Sequence, residues 1–250
     1  MFIAKLIFST MRKLIVLLLL TIPSLALAID LEGYYITAKG GASKTFNTGM
    51  TSTNNFRGFF GGTFFTLPIE DLGTGTAFGF SAGKYLTDNF RLELEAIKRT
   101  GYEYDARLDA APIFTEKAKI QTEALFINGF YDFQPFSINN TTITHYLGGG
   151  LGFSRNKTGT TVQHNNGIPD GGTIDGDTIN QFAYKLSAGT LVSITEQLSL
   201  DVNYQYVNLG AFRGGRIVYV NGAYTNTLNR PINGGEIKTQ ELMIGLQYKF

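Results

Sequence analysis

The two histidines of this 250-residue sequence, His145 and His164, are the first candidates for chemistry. A hydrolase with a serine nucleophile needs an imidazole beside the hydroxyl as a general base, and an acid that orients the imidazole. His145 has threonine neighbours and His164 lies in a polar stretch, so the sequence shows no such constellation. We predict two solvated surface histidines. A catalytic histidine completed by residues from distant segments is the alternative.

Carboxylates and glycines form the second group of candidates. Asp170, Asp175 and Asp177 lie in the segment PDGGTIDGD, whose spacing does not match the ligand positions of an EF-hand. We expect a hydrated loop there, with a surface calcium ion as the alternative. The run Gly148–Gly152 lacks the third glycine of a dinucleotide-binding motif, which favours backbone packing over cofactor binding. The chain contains no cysteine, and we predict no catalytic residue, no cofactor and no metal site.

The first residues predict a secreted protein. Three basic residues and no acid precede or border an apolar run at residues 14–22. This run is shorter than the roughly 20 residues that a membrane-spanning helix needs. The predicted cleavage pattern consists of two small residues, Ala26 and Ala28. We therefore predict a signal peptide at residues 1–28, translated from Met1 or from Met11, and a mature domain at residues 29–250.

Alternating apolar and polar residues run through the mature part. A period of two indicates β-strands, because successive side chains of a strand point to opposite faces. Six segments show this period, at residues 34–41, 77–83, 90–97, 182–189, 198–206 and 241–250. Residues 144–154 add a strand with glycines on one face and larger apolar residues on the other.

An eighth strand is predicted at residues 118–132, but its phase stays open. Either Leu125 and Ile127 or Ala124 and Phe126 face outward, and a bulge could switch the faces midway.

The connections between these strands alternate in length. Four are long, at residues 44–75, 105–117, 155–180 and 210–237, and those between them are shorter. Transmembrane barrels have this topology, with long loops outside and short turns in the periplasm. Lipid offers no hydrogen bonds, so strands can span it only as a closed barrel. We predict an all-β fold, a transmembrane antiparallel up-and-down barrel of eight strands, with extracellular loops and both termini in the periplasm.

The inward positions of the predicted strands hold charges of both signs. An eight-stranded barrel has an interior just wide enough for side chains to fill, and buried charges need partners. We therefore expect a plugged interior held by ion pairs rather than an open pore. The predicted interior network comprises Lys39, Arg91, Glu93, Glu95, Arg99, Lys185, Asp201 and Glu241. Acid–base chemistry by the neighbouring carboxylates is the alternative interpretation.

The last strand resembles the C-terminal targeting strand of bacterial outer-membrane barrels. Its apolar residues stand at every second position, namely Leu242, Ile244, Leu246, Tyr248 and Phe250. The stretches at residues 33–41 (GYYITAKGG), 79–95 (GFSAGKYLTDNFRLELE) and 146–155 (YLGGGLGFSR) are similar to eight-stranded opacity-type and major-surface-antigen barrels of Gram-negative bacteria. This resemblance covers residues 33–250. It implies a place in the bacterial outer membrane, contact with lipid, and recognition by the barrel-assembly machinery.

The long connections favour a role as a surface antigen or adhesin-like protein, or a structural role in the envelope, with a host or envelope protein as partner. Aromatic residues of the first loop indicate an interaction surface or a loop packed on the barrel rim, and they are Phe56, Phe59, Phe60, Phe64 and Phe65. A small passive porin-like channel is the alternative, with selectivity set by the inward charges. A lipid-modifying barrel enzyme is a third hypothesis. The mature chain has 18 basic and 20 acidic residues, which gives no electrostatic case for nucleic acid.

Overall fold

A computed structural model describes most of the chain after residue 30 as β-structure. The described residues are 31–46, 50–55, 64–69, 71–107, 114–139, 141–165, 172–220, 223–227 and 233–250. They form fifteen strands, numbered in chain order: β1 Tyr34–Thr45, β2 Met50–Asn55, β3 Phe64–Ile69, β4 Thr74–Tyr85, β5 Phe90–Arg107, β6 Phe114–Asp132, β7 Phe136–Ile138, β8 Thr141–Thr158, β9 Thr161–Asn165, β10 Thr173–Ile174, β11 Asp177–Ser193, β12 Leu198–Arg213, β13 Ile217–Val220, β14 Ala223–Thr227 and β15 Asn233–Lys249. No helix in the described part of the chain is long and apolar enough to cross a membrane. The predicted leader, with its cleavage residues, lies outside the described residues.

Eight of these strands close into an antiparallel barrel. Their order is β1, β4, β5, β6, β8, β11, β12 and β15, and β15 pairs back onto β1. The predicted eight-stranded up-and-down barrel is confirmed. Following directly paired residues around the barrel from Val192 leads back to β11 at Phe182, so the register is staggered by ten residues. Such a stagger tilts the strands by roughly 40° from the barrel axis.

The outer wall is apolar around the middle of the barrel. Leu151 and Phe153 on β8 are each 63% exposed, and comparable apolar residues face outward from the other strands. The structure settles the phase of β6, because Ile127 is 66% exposed whereas Ala124 and Phe126 are buried. The faces of β6 do not switch along its length.

A bulge was one possibility for β6, but the structure places a bulge on the paired strand β5. The register between the two strands shifts between Arg99 and Tyr102. Gly101 has a φ of +93°, a conformation that glycine adopts without steric cost. As a result Arg99, Tyr102 and Tyr104 all point into the barrel.

The long connections contain more structure than the sequence predicted. Barrel strands continue into them, so that β5 ends at Arg107 and β12 ends at Arg213. Short strands β9, β10, β13 and β14 then extend the sheet from β6, while β2 and β3 form a separate hairpin. The long connections predicted at residues 44–75, 105–117, 155–180 and 210–237 therefore include strands. Above the apolar wall the outward residues of these strands are polar. The alternation of apolar and polar residues that predicts a strand is therefore lost there, although the strands remain hydrogen-bonded to their neighbours.

We call the end of the barrel with the long connections the loop end, and the opposite end the turn end. The turn-end connection after β6 contains the short strand β7, which pairs with the first residues of β8.

Candidate functional site

The barrel interior is the place where the sequence predicted a charged network. All eight predicted residues are inside the barrel, each at most 4% exposed. They lie in three polar layers that follow one another along the barrel axis, with an apolar plug at the loop end.

The middle layer is centred on Glu95. Its carboxylate lies between two ammonium groups, with Lys39 Nζ at 2.9 Å and Lys185 Nζ also in contact. Lys39 is 3.6 Å from Glu93, and the Asn128 amide donates hydrogen bonds to both glutamates, at 3.0 and 2.9 Å. Two carboxylates and two cations thus neutralise each other inside the wall.

The layer at the turn end is built around Arg91. Its Nε donates to both carboxylate oxygens of Asp132, each at 3.1 Å. Its guanidinium carbon lies 4.4 Å from the centre of the Phe130 ring and 4.6 Å from that of Tyr146, within the range of cation–π attraction. The Tyr146 hydroxyl donates to Asp201 at 2.7 Å, and the Asn203 amide donates to the same carboxylate at 3.3 Å.

The third polar layer joins β5 to β15. Arg99 donates two hydrogen bonds to Glu241, at 2.5 and 3.0 Å. The same carboxylate accepts hydrogen bonds from three further side chains, those of Ser43, Gln205 and Thr239. The Ser43 hydroxyl is in turn 2.5 Å from that of Tyr102.

An apolar plug fills the barrel above this layer. Its buried side chains include Leu72, Tyr104, Ala118, Ile120, Ile174, Leu209, Phe212 and Ile237. Burial raises the pKa of the Tyr104 phenol, and its hydroxyl shares a 2.9 Å hydrogen bond with Thr161. The plug replaces the water-filled mouth that a porin would have at this end.

A bulge of β12 pinches the barrel at the level of the plug. The register of β12 against β15 shifts between Asn208 and Ala211, and the carbonyl of Leu209 turns toward β8. There it accepts hydrogen bonds from Ser154 Oγ at 2.5 Å and from Asn156 Nδ2 at 2.8 Å. Asn156 also donates to the Ala211 carbonyl at 2.7 Å. These bonds cross the interior from β8 to β12, although β11 lies between those strands in the wall.

A gap among the polar side chains nearest the turn end is too narrow to hold a water molecule. It lies between the Arg91 and Lys185 layers, beside Asp201. Paired charges and packed rings therefore fill the barrel around this gap.

Several residues of the network were missed by the sequence reasoning. Asp132 neutralises Arg91, but it lies on β6, whose phase the sequence left open. Tyr35 and Tyr146 share the inward phase of Lys39 and Gly148 on their strands, but an aromatic ring alone did not mark them as members of a polar network. The alternation of Asn128, Phe130 and Asp132 was the available signal, because their shared face follows once Ile127 is assigned to lipid.

The other sequence candidates are dispersed. His145 Nδ1 is 2.8 Å from Thr190 Oγ1, and its ring packs near Phe136 at the turn end. Asp175 accepts backbone hydrogen bonds from Arg216 and Ile217, each at 2.7 Å. The Asp177 carboxylate accepts a 2.6 Å hydrogen bond from Arg213. The side chain of His164, the loop aromatics from Phe56 to Phe65, and Asp170 lie outside the described residues and side chains.

The C-terminal strand places its predicted assembly residues on the outer wall. Leu242, Ile244, Leu246 and Tyr248 are exposed there, from 38% to 57%. The Phe250 amide donates to the Tyr34 carbonyl at 3.0 Å, which closes the barrel between the last and the first strand.

A closed barrel with an apolar outer wall and a paired, charged interior is the architecture of a protein that spans a membrane with strands. The sequence matches the family described as outer membrane protein beta-barrel domain over residues 14–250. The chain belongs to this family, and its location is the bacterial outer membrane.

Individual proteins also resemble this chain. Outer membrane protein PagN of Salmonella typhimurium strain LT2 is 27% identical over 233 residues, covering 88% of this chain and 90% of PagN. The crystal structure of Neisserial surface protein A matches with a TM-score of 0.51 at 15% identity, covering 88% of this chain and 98% of that chain. OprG from Pseudomonas aeruginosa matches with a TM-score of 0.45 at 14% identity, covering 88% and 96%. The likeness to Neisserial surface protein A shows the fold alone.

Proposed function

We propose that this protein acts at the bacterial surface through the loop end of its barrel, as an adhesin-like protein that contacts a host or envelope partner. We further propose that it is neither a channel nor an enzyme. This proposal is supported by the contrast between the filled interior of the barrel and its extended, structured loop end. A barrel that transports solutes needs the opposite arrangement.

The loop end projects well beyond the apolar wall. On β5 the last apolar outward residue of the wall is Ala96, and the strand continues to Arg107. Eleven further residues at about 3.3 Å each correspond to roughly 35 Å of strand. The outward residues of this part are polar or charged, as in Lys98, Glu103 and Asp105.

The apolar plug packs beneath this projection and supports it. Tyr104 and Phe212 pack against each other beneath the connections, with ring centroids 6.5 Å apart. A rigid scaffold that carries variable connections is a common basis for recognition, because the scaffold fixes the position of the contacting loops. This supports a binding role for the loop end, with the barrel as an anchor. We propose that the loop end is extracellular and that both termini are periplasmic.

Epitope tags test the orientation. A tag inserted in the connection between β5 and β6 is expected to bind antibody on intact cells. The matched control carries the tag at Glu196, in the turn between β11 and β12, and should bind antibody only after the outer membrane is permeabilised. The reverse pattern would show that the proposed orientation is wrong.

A second experiment tests the binding role. Cells that display the full protein are compared with cells that display a barrel whose β5–β6 connection is shortened and whose β13–β14 hairpin is removed. Attachment to a layer of host cells should fall for the shortened barrel at equal surface amounts. Equal attachment would contradict the adhesin-like function while leaving the orientation intact.

A further inference from the structure

We propose that the hairpin between β6 and β8 rests in the interface of a phospholipid leaflet and anchors the barrel there. It comprises residues 133–144, includes β7, and lies at the turn end, so we call it the turn-end hairpin. The surface that it contacts is the boundary between headgroups and acyl chains. To name that leaflet as periplasmic rests on the proposed orientation, whereas the contact with lipid does not.

The turn-end hairpin extends beyond its neighbours in the wall. At Asp132, β6 still lies beside the turn between β4 and β5, because the Asp132 amide donates to the Asn89 carbonyl at 2.8 Å. Beyond this point β7 pairs with β8, and no other described strand lies along its second edge. On the other side, the pairing of β8 with β11 ends at Ile143. The hairpin therefore projects past the rim of the barrel.

An extra residue separates β7 from the line of β6. Asp132 pairs with Tyr146 on β8 and Phe136 pairs with Ile143, so four steps along one strand correspond to three along the other. Pro135 lies in this irregular segment, where it leaves no amide hydrogen unpaired at the sheet edge. A bulge bends a strand and increases its twist. The hairpin can therefore lean away from the direction of the wall.

The turn-end hairpin has an apolar face and a polar face. Phe136 pairs with Ile143 and shares its outward face. Phe136 and Ile138 are 43% and 54% exposed there. On the opposite face, the hydroxyl groups of Ser137 and Thr142 lie 3.5 Å apart in a hydrogen bond. An element divided in this way suits a boundary between an apolar phase and water, with its apolar face toward the acyl chains.

The apolar face continues the lipid-facing wall of the barrel. Tyr131 on the outer face of β6 is 52% exposed, and its ring packs edge-on against that of Phe133, with centroids 5.4 Å apart. The Phe136 ring lies 5.5 Å from that of His145, which stands two residues from the outward Leu147 on β8. The surface that meets lipid on the wall therefore extends onto the hairpin.

Charge distinguishes the turn-end hairpin from two other connections at this end. Residues 133–144 contain no Asp, Glu, Lys or Arg. The turns between β4 and β5 and between β11 and β12 each expose an acid, Asp88 and Glu196 respectively. Charged groups are costly to bring into an apolar boundary, and exposed apolar patches mark contacts with proteins or membranes. The uncharged sequence and the continuity with the lipid-facing wall together favour lipid.

An anchor at this position would fix how the barrel stands in the membrane. The strand β8 runs without a break from Thr141 in the hairpin to Thr158 at the loop end. The depth of the hairpin at one surface would therefore set the height of β8 and its neighbours at the other. This consequence rests on the proposed function of the loop end, because it concerns the position of the contacting loops.

Tryptophan fluorescence tests the lipid contact, because the chain contains no tryptophan and each variant carries a single reporter. The chain of residues 29–250 is refolded into phosphatidylcholine vesicles as Ile138→Trp, on the apolar face, or as Ser137→Trp, on the polar face of the same strand. Acyl chains brominated near the headgroup quench from the lipid, and iodide, equilibrated on both sides by freezing and thawing, quenches from water. Bromolipid should reduce the emission of Ile138→Trp about twofold, as expected for a side chain roughly 5–10 Å into the boundary.

The variant Ser137→Trp is the matched control and should show the reverse, with strong quenching by iodide and weak quenching by bromolipid. Leu147→Trp in the wall and Glu196→Trp in a turn define the limits for lipid and for water. The heat-dependent gel shift first establishes that each variant is folded.

Two outcomes would overturn the proposal. If iodide quenched Ile138→Trp as strongly as Glu196→Trp, the hairpin would lie in water. If Ile138→Trp were protected from both quenchers, a protein surface such as a second copy of the chain would cover the hairpin. Both leaflets contain the brominated lipid, so the result is independent of the orientation and attachment experiments.

Discussion

Arg99 on β5 and Glu241 on β15 face each other across the barrel, joined by hydrogen bonds of 2.5 and 3.0 Å although 142 residues separate them in sequence. Strands β4 and β1 lie between them in the wall. Both side chains are completely or almost completely buried. The pair therefore acts as a strut between distant parts of the barrel, and its two charges depend on each other.

Removal of one charge of this strut should destabilise the barrel strongly. We expect Glu241→Gln to lower the free energy of unfolding by about 3–5 kcal/mol, because Arg99 is left as an uncompensated buried cation. The double variant Arg99→Met/Glu241→Leu should recover part of this loss. Urea-induced unfolding of the protein from lipid vesicles, followed by circular dichroism, measures the difference.

The surface pair Lys98–Glu123 provides the control for this measurement. Its atoms are 3.7 Å apart and its side chains are 47% and 34% exposed. Glu123→Gln should therefore cost less than about 1 kcal/mol. Equal effects of Glu123→Gln and Glu241→Gln would contradict the role of Glu241 as a strut.

The sequence was sufficient to predict which residues face lipid along most of the wall. Alternation assigned Leu242 and Ile244 to the outer face and Glu241 to the inner face, and the structure agrees. Partners inside the barrel could not be assigned in the same way. The contact of Arg99 with Glu241 depends on the stagger of the barrel, which only the complete set of strand pairings determines.

The apolar plug could not be predicted from the sequence because of one local feature of β5. Strict alternation from the inward Arg99 predicts that Tyr102 and Tyr104 face outward. The bulge at Gly101 adds one residue to β5 and reverses this phase. A single glycine in a strand does not reveal whether it is a bulge, so the inward tyrosines and the core that they anchor appear only in the structure.

Gly152 on β8 should tolerate no side chain. A Cβ atom added there would lie 1.9 Å from the Leu125 carbonyl oxygen, a backbone atom of the neighbouring strand. We expect Gly152→Ala to destabilise the barrel by at least about 1–3 kcal/mol, as overpacking of a core does. Gly149 on the same strand is the control, since its added Cβ would come no closer than 3.1 Å to another atom. Urea unfolding should rank Gly149→Ala well above Gly152→Ala in stability.

We predict that Phe250 contributes more to assembly of the barrel in cells than to the stability of the folded barrel. Phe250→Ala removes the last residue of the alternating C-terminal pattern but keeps the amide that donates to Tyr34. We expect less folded barrel in outer membranes of cells, measured by the heat-dependent gel shift, and nearly normal refolding into detergent. Phe182→Ala, which removes a lipid-facing ring from β11, is the control and should leave assembly in cells unchanged. A similar loss of assembly in both variants would contradict a targeting role for Phe250.

The filled interior predicts that the refolded mature chain does not conduct ions. Three paired polar layers and the apolar plug stand in series along the axis, so a gap in one of them opens no continuous path. We therefore expect no steady conductance steps in a planar bilayer, either for the wild type or for Phe212→Ala, which hollows only the plug. Protein inserted in the same bilayer must first be shown to be folded, by its gel shift and its resistance to protease. Discrete, steady steps from the wild-type protein would mean that the Arg91 and Glu95 layers part in the membrane, and the porin-like function would then replace the surface role as the primary hypothesis.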